Sequence, residues 1–385
     1  MQPQFLLILM FFYALANNLL GPLVTNIMDS TGLSLSQSGL LITLLQGGAL
    51  VSILLSLYLM KRLRQSTLVK IGYLVLIVAL LLVGLTSGTG LLFCLYAAIG
   101  FGTFLADSGS NAVLASDYFE KKELYIPLLH FFYSAGAILT GYFILPFKGP
   151  AWRWAYSSVG LVLLLLLILA LIFKKGRTGE VRKESPIQKE SNLPLLKDSR
   201  FILYTLSLML YMGSQQICAT WIPVYVEVEL LQSPAIVGTS LTVFWIGIAI
   251  SRLLSSFMLQ RGAKPLTLTL GGFLLAGVAL ALLPFSASIV LALILVALCG
   301  FAAGPAIPLY IVETASWYPK NSAFIALIYI VSGTIGRMIF PYLTTRLAEV
   351  SSLGFALMTS SAMLFVAALL VFSVKRSERI ALAPR

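Results

Sequence analysis

The stretch T-L-L-Q-G-G-A-L-V-S-I-L-L-S at residues 43–56 returns as T-V-F-W-I-G-I-A-I-S-R-L-L-S at residues 242–255, an offset of 199 positions. Thr, Gly, two Ser and a Leu-Leu pair hold the same places in both copies. The repeat extends further along the chain, because Gly100-Phe101 recurs as Gly300-Phe301, an offset of 200. Self-similarity at so long a period predicts two similar halves within one chain.

The composition places both halves in a membrane. Hydrophobic residues make up 59% of the 385 residues, charged residues only 10%, and the mean hydropathy is +0.96. A soluble domain needs a wetted polar surface and does not have this profile. The lipid bilayer is therefore the expected surrounding of most of the chain.

Twelve apolar runs are long enough to cross the hydrocarbon core, which takes about 20 residues. They lie near 4–27, 37–60, 68–88, 90–116, 124–147, 153–173, 200–226, 234–259, 267–285, 288–314, 321–345 and 352–374. We predict an all-α integral membrane protein with twelve transmembrane helices in two pseudo-symmetric six-helix bundles. The bundles are expected at 1–174 and 200–385, the second with a short cytoplasmic tail, and a cytoplasmic linker is expected at 175–199. Such repeats are typical of transporters that open a site between two halves to each side in turn.

The basic residues predict the orientation of the spans. Lys and Arg accumulate in cytoplasmic loops, and 21 of the 26 fall on one side when both termini are cytoplasmic. The cytoplasmic (inner) membrane of the cell is therefore the expected location. The net charge of +12 is explained by this topology, so a nucleic acid is not an expected partner.

Signatures of catalysis are missing from the sequence. No G-x-x-x-x-G-K-[ST] loop is present, and the single histidine has no metal-binding cluster around it. The three cysteines, Cys94, Cys218 and Cys299, lie inside predicted spans and read as small packing residues. We expect no enzyme activity, no cofactor, no metal site and no disulfide.

The fourth predicted span carries the clearest polar face. Gly100, Thr103, Asp107 and Asn111 are spaced by three and four residues, which places them on one side of a helix. A charged side chain at the bilayer centre costs about 2.5 to 3.5 kcal/mol on insertion scales, so the presence of Asp107 in a span calls for a functional reason. His130, in the next span, is either a packing residue or a partner that shares a proton with Asp107 or binds a hydroxylated ligand.

Side-chain amides occupy corresponding places in the two halves. Asn17 and Asn18 in the first span match Gln215 and Gln216 in the seventh, an offset of 198. These amides, and Gln46 in the second span, fit two interpretations: hydrogen bonds to a sugar, or hydrogen bonds that join helices.

Aromatic and cationic side chains complete the candidate substrate site. Trp221 and Trp245 suit the C–H faces of a pyranose ring. Arg337 lies within the eleventh span, where a guanidinium either neutralises a buried carboxylate or binds an anionic substrate. Arg252 lies nearer the cytoplasmic end of the eighth span and reads as a gate or helix-end residue.

Three stretches are similar to a known family. They are G-F-G-T-F-L-A-D-S-G-S-N-A-V at 100–113, L-L-H-F-F-Y-S-A-G-A at 128–137, and A-N-N with a following G-P at 16–22. The chain resembles the major facilitator superfamily, and within it the fucose/galactose/glucose symporter-like family. The resemblance implies an ion-coupling and sugar-shaping role for Asp107, with Asn111 and His130 beside it, and a monomeric transporter.

Two departures from that family change the expectation. Asn18 stands where the fucose/proton symporter has a second acid, so a two-carboxylate mechanism does not carry over. The loop L-M-K-R-L-R at 59–64 keeps the basic charge of the superfamily motif but lacks its Asp and Gly.

The sequence as a whole predicts a secondary transporter that moves a small hydroxylated solute of the hexose type by alternating access. Proton coupling, sodium coupling and no coupling all remain open. Export of lipophilic or amphipathic compounds and transport of a small organic anion bound by Arg337 are the alternative functions.

Overall fold

The computed structural model describes residues 1–60, 62–173 and 194–382, which are almost entirely helical and contain no strand. The predicted linker at 175–199 lies mostly outside the described residues. The helices are α1 Pro3–Asn18, α2 Leu20–Thr31, α3 Leu35–Leu59, α4 Gln65–Leu85, α5 Thr89–Asp117, α6 Lys122–Phe143, α7 Trp152–Ile172, α8 Ser199–Val228, α9 Pro234–Gln260, α10 Pro265–Leu282, α11 Ile289–Ala303, α12 Ala306–Trp317, α13 Ser322–Val350 and α14 Leu353–Leu382.

These helices confirm the predicted membrane architecture. Within the described residues, ten helical segments are long and apolar enough to span a bilayer, with α11 and α12 forming one of them, and the pair α1 and α2 adds an eleventh. Helix α8 is 30 residues long, which is sufficient to cross, but its polar residues lower its hydropathy. With α8, the count reaches the twelve spans that the sequence predicts.

The first span is broken at Leu19, where α1 and α2 meet at an angle of 46°. Pro22 lies four residues after Asn18, so its ring displaces the helical hydrogen bond that the Asn18 carbonyl would accept. The Asn18 side chain turns back and donates its Nδ2 to the Ala14 carbonyl oxygen at 2.8 Å. The break therefore follows directly from the sequence A-N-N-L-L-G-P.

Contacts divide the chain into two units. The first comprises Met1–Ser185 with Ser233–Gly238, and the second comprises Pro186–Gln232 with Thr239–Arg385. In the first unit α5 packs on α3 and α4, and α1 packs on α6. In the second, α8 packs on α13 and α14, and α10 packs on α11 and α14.

Glycines of the repeat bring two helices of the first unit into backbone contact. A Cβ atom on Gly48 would lie 1.9 Å from the Ala97 carbonyl oxygen, and one on Gly100 would lie 1.6 Å from the Leu45 carbonyl oxygen. Real Cβ atoms do not approach so closely, so α3 and α5 can pack this way only with glycine at both positions.

The second unit repeats this contact between α9 and α11. A Cβ atom on Gly247 would lie 2.4 Å from the Ala297 carbonyl oxygen, and one on Gly300 would lie 2.2 Å from the Phe244 carbonyl oxygen. The recurring glycines of the sequence are therefore the helix-packing positions of two similar bundles.

A further glycine pair makes matching close contacts with α1 and α8, the helices that carry candidate amides. A Cβ atom on Gly136 of α6 would lie 2.2 Å from the carbonyl oxygen of Phe11 in α1. In the second unit, a Cβ atom on Gly336 of α13 would lie 2.2 Å from the carbonyl oxygen of Met209 in α8. The helices that carry the candidate amides are thus held in the same way in both units.

Candidate functional site

The acidic centre of the first unit is a carboxylate–amide pair on α5. Asn111 Nδ2 donates to Asp107 Oδ1 at 2.9 Å and to the Asp107 carbonyl oxygen at 3.0 Å. The spacing of four residues stacks the two side chains on one face, and both are half-buried. The amide fixes the orientation of the carboxylate, as the predicted polar face of this helix requires.

The two asparagines of α1 have different surroundings. Asn17 is half-buried and its Nδ2 lies 3.4 Å from the hydroxyl of Tyr133 on α6. Asn18 is buried and already bonded within its own helix. Gln46 on α3 is also buried. Asn17 is therefore the best-placed of these amides for a ligand, and substrate roles for Asn18 and Gln46 stay predictions.

His130 is exposed on α6. Its carbonyl oxygen accepts a hydrogen bond from Ser134 Oγ at 3.0 Å, while its imidazole makes no hydrogen bond to any described residue. The structure does not join His130 to Asp107, and the ion-coupling role of this imidazole stays a prediction.

The second unit carries a matching set of amides on α8. Gln215 Nε2 donates to the hydroxyl of Tyr211 at 3.1 Å, and Gln216 Nε2 donates to Thr220 Oγ1 at 3.0 Å. Both glutamines are half-buried. Gln215, like Asn17, donates to a tyrosine hydroxyl, but its partner Tyr211 lies one turn earlier on the same helix, whereas Tyr133 lies on a different helix from Asn17.

A small pocket opens beside this pair, inside the second unit. Helices α8, α9, α11 and α14 line it, and its walls include Tyr211, Gln215, Phe244 and Gly300. Tyr211 is fully buried and stacks on Phe273, with ring centroids 5.3 Å apart. Tyr211 was not among the predicted site residues, although Tyr13 stands at the corresponding place 198 residues earlier.

One of the two intramembrane arginines reaches the wall of the pocket. Arg252 of α9 donates its Nε to the carbonyl oxygen of Gly304, which lines the pocket, at 3.3 Å. Arg252 therefore lies beside the pocket as well as toward the end of its helix. Arg337 lies on α13, and a substrate role for it stays a prediction.

The two candidate tryptophans lie within the packed interior. Trp221 is fully buried, and its Nε1 has no hydrogen-bond partner among the described residues. Trp245 is 7% exposed and meets Phe244 edge to face at 5.9 Å between centroids. Trp245 therefore adjoins a pocket-lining ring, and the stacking of either indole on a ligand stays a prediction.

A family model described as Major Facilitator Superfamily matches residues 6–312 and 229–385. The chain belongs to this superfamily. A curated relative, "Protein TsgA" from Escherichia coli O1:K1 / APEC, is 25% identical over 277 residues, which cover 64% of this chain and 64% of that protein. The chain thus matches less than two thirds of the length of this superfamily relative.

Solved structures share the superfamily fold over almost the whole chain. The nucleoside transporter NupG superposes with a TM-score of 0.80 at 13% identity, covering 97% of this chain and 99% of that one. A D-xylose-proton symporter superposes with a TM-score of 0.72 at 15% identity, covering 96% of each chain. Membership of the superfamily, together with the apolar helices, makes this protein a multi-pass membrane protein, and the structural likeness at this identity establishes the fold alone.

Proposed function

We propose that this superfamily member is a secondary transporter of a small hydroxylated solute of the hexose type, working by alternating access in the cytoplasmic membrane. The observation that carries the proposal is the amide–tyrosine pair in each unit. Asn17 of α1 with Tyr133 of α6, and Gln215 with Tyr211 on α8, present donors and acceptors in both units.

The chemistry of these pairs suits a sugar. A hydroxyl group donates and accepts at once, so it can replace each partner of an amide–phenol hydrogen bond without leaving a polar group unsatisfied. A site built to hydrogen-bond a hydroxyl also discriminates strongly against ligands that lack one. Lipophilic compounds would gain no hydrogen bonds from these amides and phenols, which makes export of such compounds the weaker proposal.

Asp107 is the proposed ion-coupling residue. Protonation, or neutralisation by sodium, removes the free-energy cost of carrying a buried charge through the conformational change. Asn111 holds the carboxylate in place in either state because its amide also bonds to the backbone of Asp107. The D-xylose-proton symporter couples a sugar to a proton on the same fold, which gives this proposal a precedent.

A small organic anion is the second candidate substrate. Its supporting observation is the placement of Arg252, whose Nε donates to the Gly304 carbonyl oxygen at the wall of the pocket, in the unit that also contains Arg337. Two guanidinium groups in a low-dielectric region favour a carboxylate or phosphate ligand.

Counterflow into proteoliposomes tests the proposal, because exchange does not depend on the coupling ion. Vesicles preloaded with unlabelled glucose, galactose, mannose or fucose receive the labelled sugar, and parallel vesicles receive small mono- and dicarboxylates. We expect a saturable, protein-dependent overshoot with at least one hexose. Overshoot with carboxylates alone would overturn the sugar proposal and favour the anion.

A further inference from the structure

The tenth predicted span is interrupted beside the pocket of the second unit. Helix α11 ends at Ala303 and α12 begins at Ala306, with Gly304 and Pro305 between them. Pro305 and Pro308 lack the backbone N–H groups that would donate to the carbonyl oxygens of residues 301 and 304 in a regular helix. Inside a membrane no water replaces a missing donor, so such an oxygen is expected to find one on a neighbouring helix.

The side chain of Arg252 supplies one of these donors. Its Nε donates to the Gly304 carbonyl oxygen at 3.3 Å, and that is the oxygen to which Pro308 cannot donate. The next bond of the helix is formed, since the N–H of Leu309 donates to the Pro305 carbonyl oxygen at 3.1 Å. The guanidinium therefore fills a place in the helical hydrogen-bond pattern that a proline leaves empty.

Close packing presses the interruption against α9 at the same place. A Cβ atom on Gly304 would lie 2.5 Å from Ser251 Oγ and 2.7 Å from the Cα atom of Ile248, so only glycine fits there. Gly304, Ala303 and Ile248 all line the pocket. A shift of the interruption would therefore move a wall of the pocket.

The first unit lacks this arrangement at the corresponding positions. Its matching helix, α5, runs unbroken for 29 residues. Ser108 stands in the place of Pro308, and Ile53 stands in the place of Arg252. A charged side chain in a span costs free energy, and the missing backbone donor gives a physical reason for the cation in the second unit.

We propose that Arg252 is a positioning residue, which replaces the donor that Pro308 removes and so holds the α11–α12 interruption in place as a wall of the pocket. A stretch with two prolines is otherwise a point of low local stability, because helices yield where their hydrogen bonds are missing. The part that this wall plays in transport rests on the proposed function. The hydrogen bond itself does not, and its tests measure no transport.

Hydrogen–deuterium exchange of the purified full-length protein, read by mass spectrometry, tests the bond. Arg252→Met keeps a long side chain and removes the donor. We expect the amides at residues 301–312 to exchange at least about tenfold faster in this variant, because a charge-assisted hydrogen bond is lost. Peptides from α5, in the other unit, should exchange as in the parent. Unchanged exchange at 301–312 would overturn the proposal.

Adding Pro308→Ala gives a rescue that a merely structural role of the arginine does not predict. Alanine restores the backbone N–H, so the Gly304 carbonyl oxygen is satisfied without Arg252. Exchange in Arg252→Met/Pro308→Ala should return to within about threefold of the parent. Pro341→Ala, which removes a proline inside α13 of the same unit, is the matched control and should not rescue.

The rescue also decides the case in which Arg252→Met alone yields no monodisperse protein. Recovery of monodisperse protein by Pro308→Ala, and not by Pro341→Ala, would then support the proposal. Recovery by both prolines' replacement, or by neither, would overturn it.

Labelling of the pocket thiols tests the effect on the wall. Cys218 and Cys299 line the pocket and are 2% and 3% exposed, so N-ethylmaleimide should react with them slowly. The parent carries Cys94→Ser, because Cys94 is exposed. We expect Arg252→Met to raise the labelling rate at least about fivefold, and Pro308→Ala to reverse the rise. The same slow labelling in Arg252→Met as in the parent would show that Arg252 does not position the wall.

Discussion

The two units share their packing and differ in their charge. Gly100 and Gly300 make the same helix contacts, yet the residues beside them do not correspond in chemistry. Asp107 of the first unit stands where the second unit has Ile307, an offset of 200. Arg252 stands where the first unit has Ile53, an offset of 199. At these positions the first unit has a carboxylate, Asp107, and the second unit has a guanidinium cation, Arg252.

This comparison separates structural from functional positions. Residues that recur in both units, such as the glycines, hold helices together and carry no chemistry specific to one ligand. Positions where a charge replaces an aliphatic residue cost free energy in the membrane, so a function has to retain them. The amides belong to neither group, because both units have them at corresponding positions but as asparagine in the first unit and glutamine in the second.

The largest expected effect is the loss of the folded protein when a shared glycine is enlarged. Gly100→Leu and Gly300→Leu both place side-chain atoms into the backbone of a neighbouring helix, and overpacking costs about 1 to 3 kcal/mol or more. We expect little monodisperse protein in size-exclusion chromatography. Gly271→Leu is the matched control, because nothing lies within 4 Å of its added Cβ, and it should purify as the parent does. Normal yields from Gly100→Leu would show that the repeat is not a packing scaffold.

The second-largest expected effect is the loss of substrate accumulation when Asp107 of the first unit is neutralised. Asp107→Asn should abolish uptake driven by an ion gradient and preserve exchange, because the carrier then reorients without binding the ion. Accumulation and counterflow are measured in the same proteoliposomes under pH and sodium gradients. Asp117→Asn, at the exposed end of the same helix, is the control and should retain both activities. Unchanged accumulation by Asp107→Asn would exclude this coupling role.

A smaller effect is expected from the amides that both units share. Asn17→Ala and Gln215→Ala each remove one donor to a tyrosine hydroxyl, and a hydrogen bond contributes about 0.5 to 1.5 kcal/mol. We expect each to raise KM for the transported sugar by about two- to tenfold, with the protein still folded. Gln4→Ala, at an exposed position of α1, should leave KM unchanged. A KM shift in only one of the two amide variants would limit the proposed substrate contact to that amide.

The smallest effect on sugar transport is expected when the two intramembrane arginines of the second unit are replaced. Arg337→Gln and Arg252→Gln should change KM for a neutral sugar by less than about threefold, because a neutral ligand gains little from a guanidinium charge. Competition by small carboxylates, tested on the same vesicles, distinguishes the anion alternative. An anionic substrate would be favoured if Arg337→Gln raised KM by more than about tenfold and by more than Asp107→Asn does.

The sequence predicted the parts of this structure that depend on hydropathy and periodicity. Twelve spans, the repeated glycines and the polar face with Asp107 and Asn111 follow from apolar run length and from helical spacing. It did not predict contacts between helices, which depend on packing. Tyr211 was missed because a tyrosine in a span has no distinctive pattern.

The histidine shows the limit of such reasoning from neighbouring spans. Adjacent helices suggested that His130 and Asp107 share a proton, yet the structure leaves the imidazole exposed on α6. The direction in which a side chain points depends on the rotation of its helix, which adjacency of two spans does not specify. Proton sharing between His130 and Asp107 therefore stays a prediction.

Equilibrium binding of a labelled hexose to the purified protein tests the central claim most directly, since it needs neither an ion gradient nor a known direction of transport. The account predicts saturable binding of one sugar per chain, displaced by unlabelled hexose and weakened by Asn17→Ala and by Gln215→Ala. Absence of sugar binding by a monodisperse sample, together with binding of a small carboxylate that Arg337→Gln removes, would contradict it.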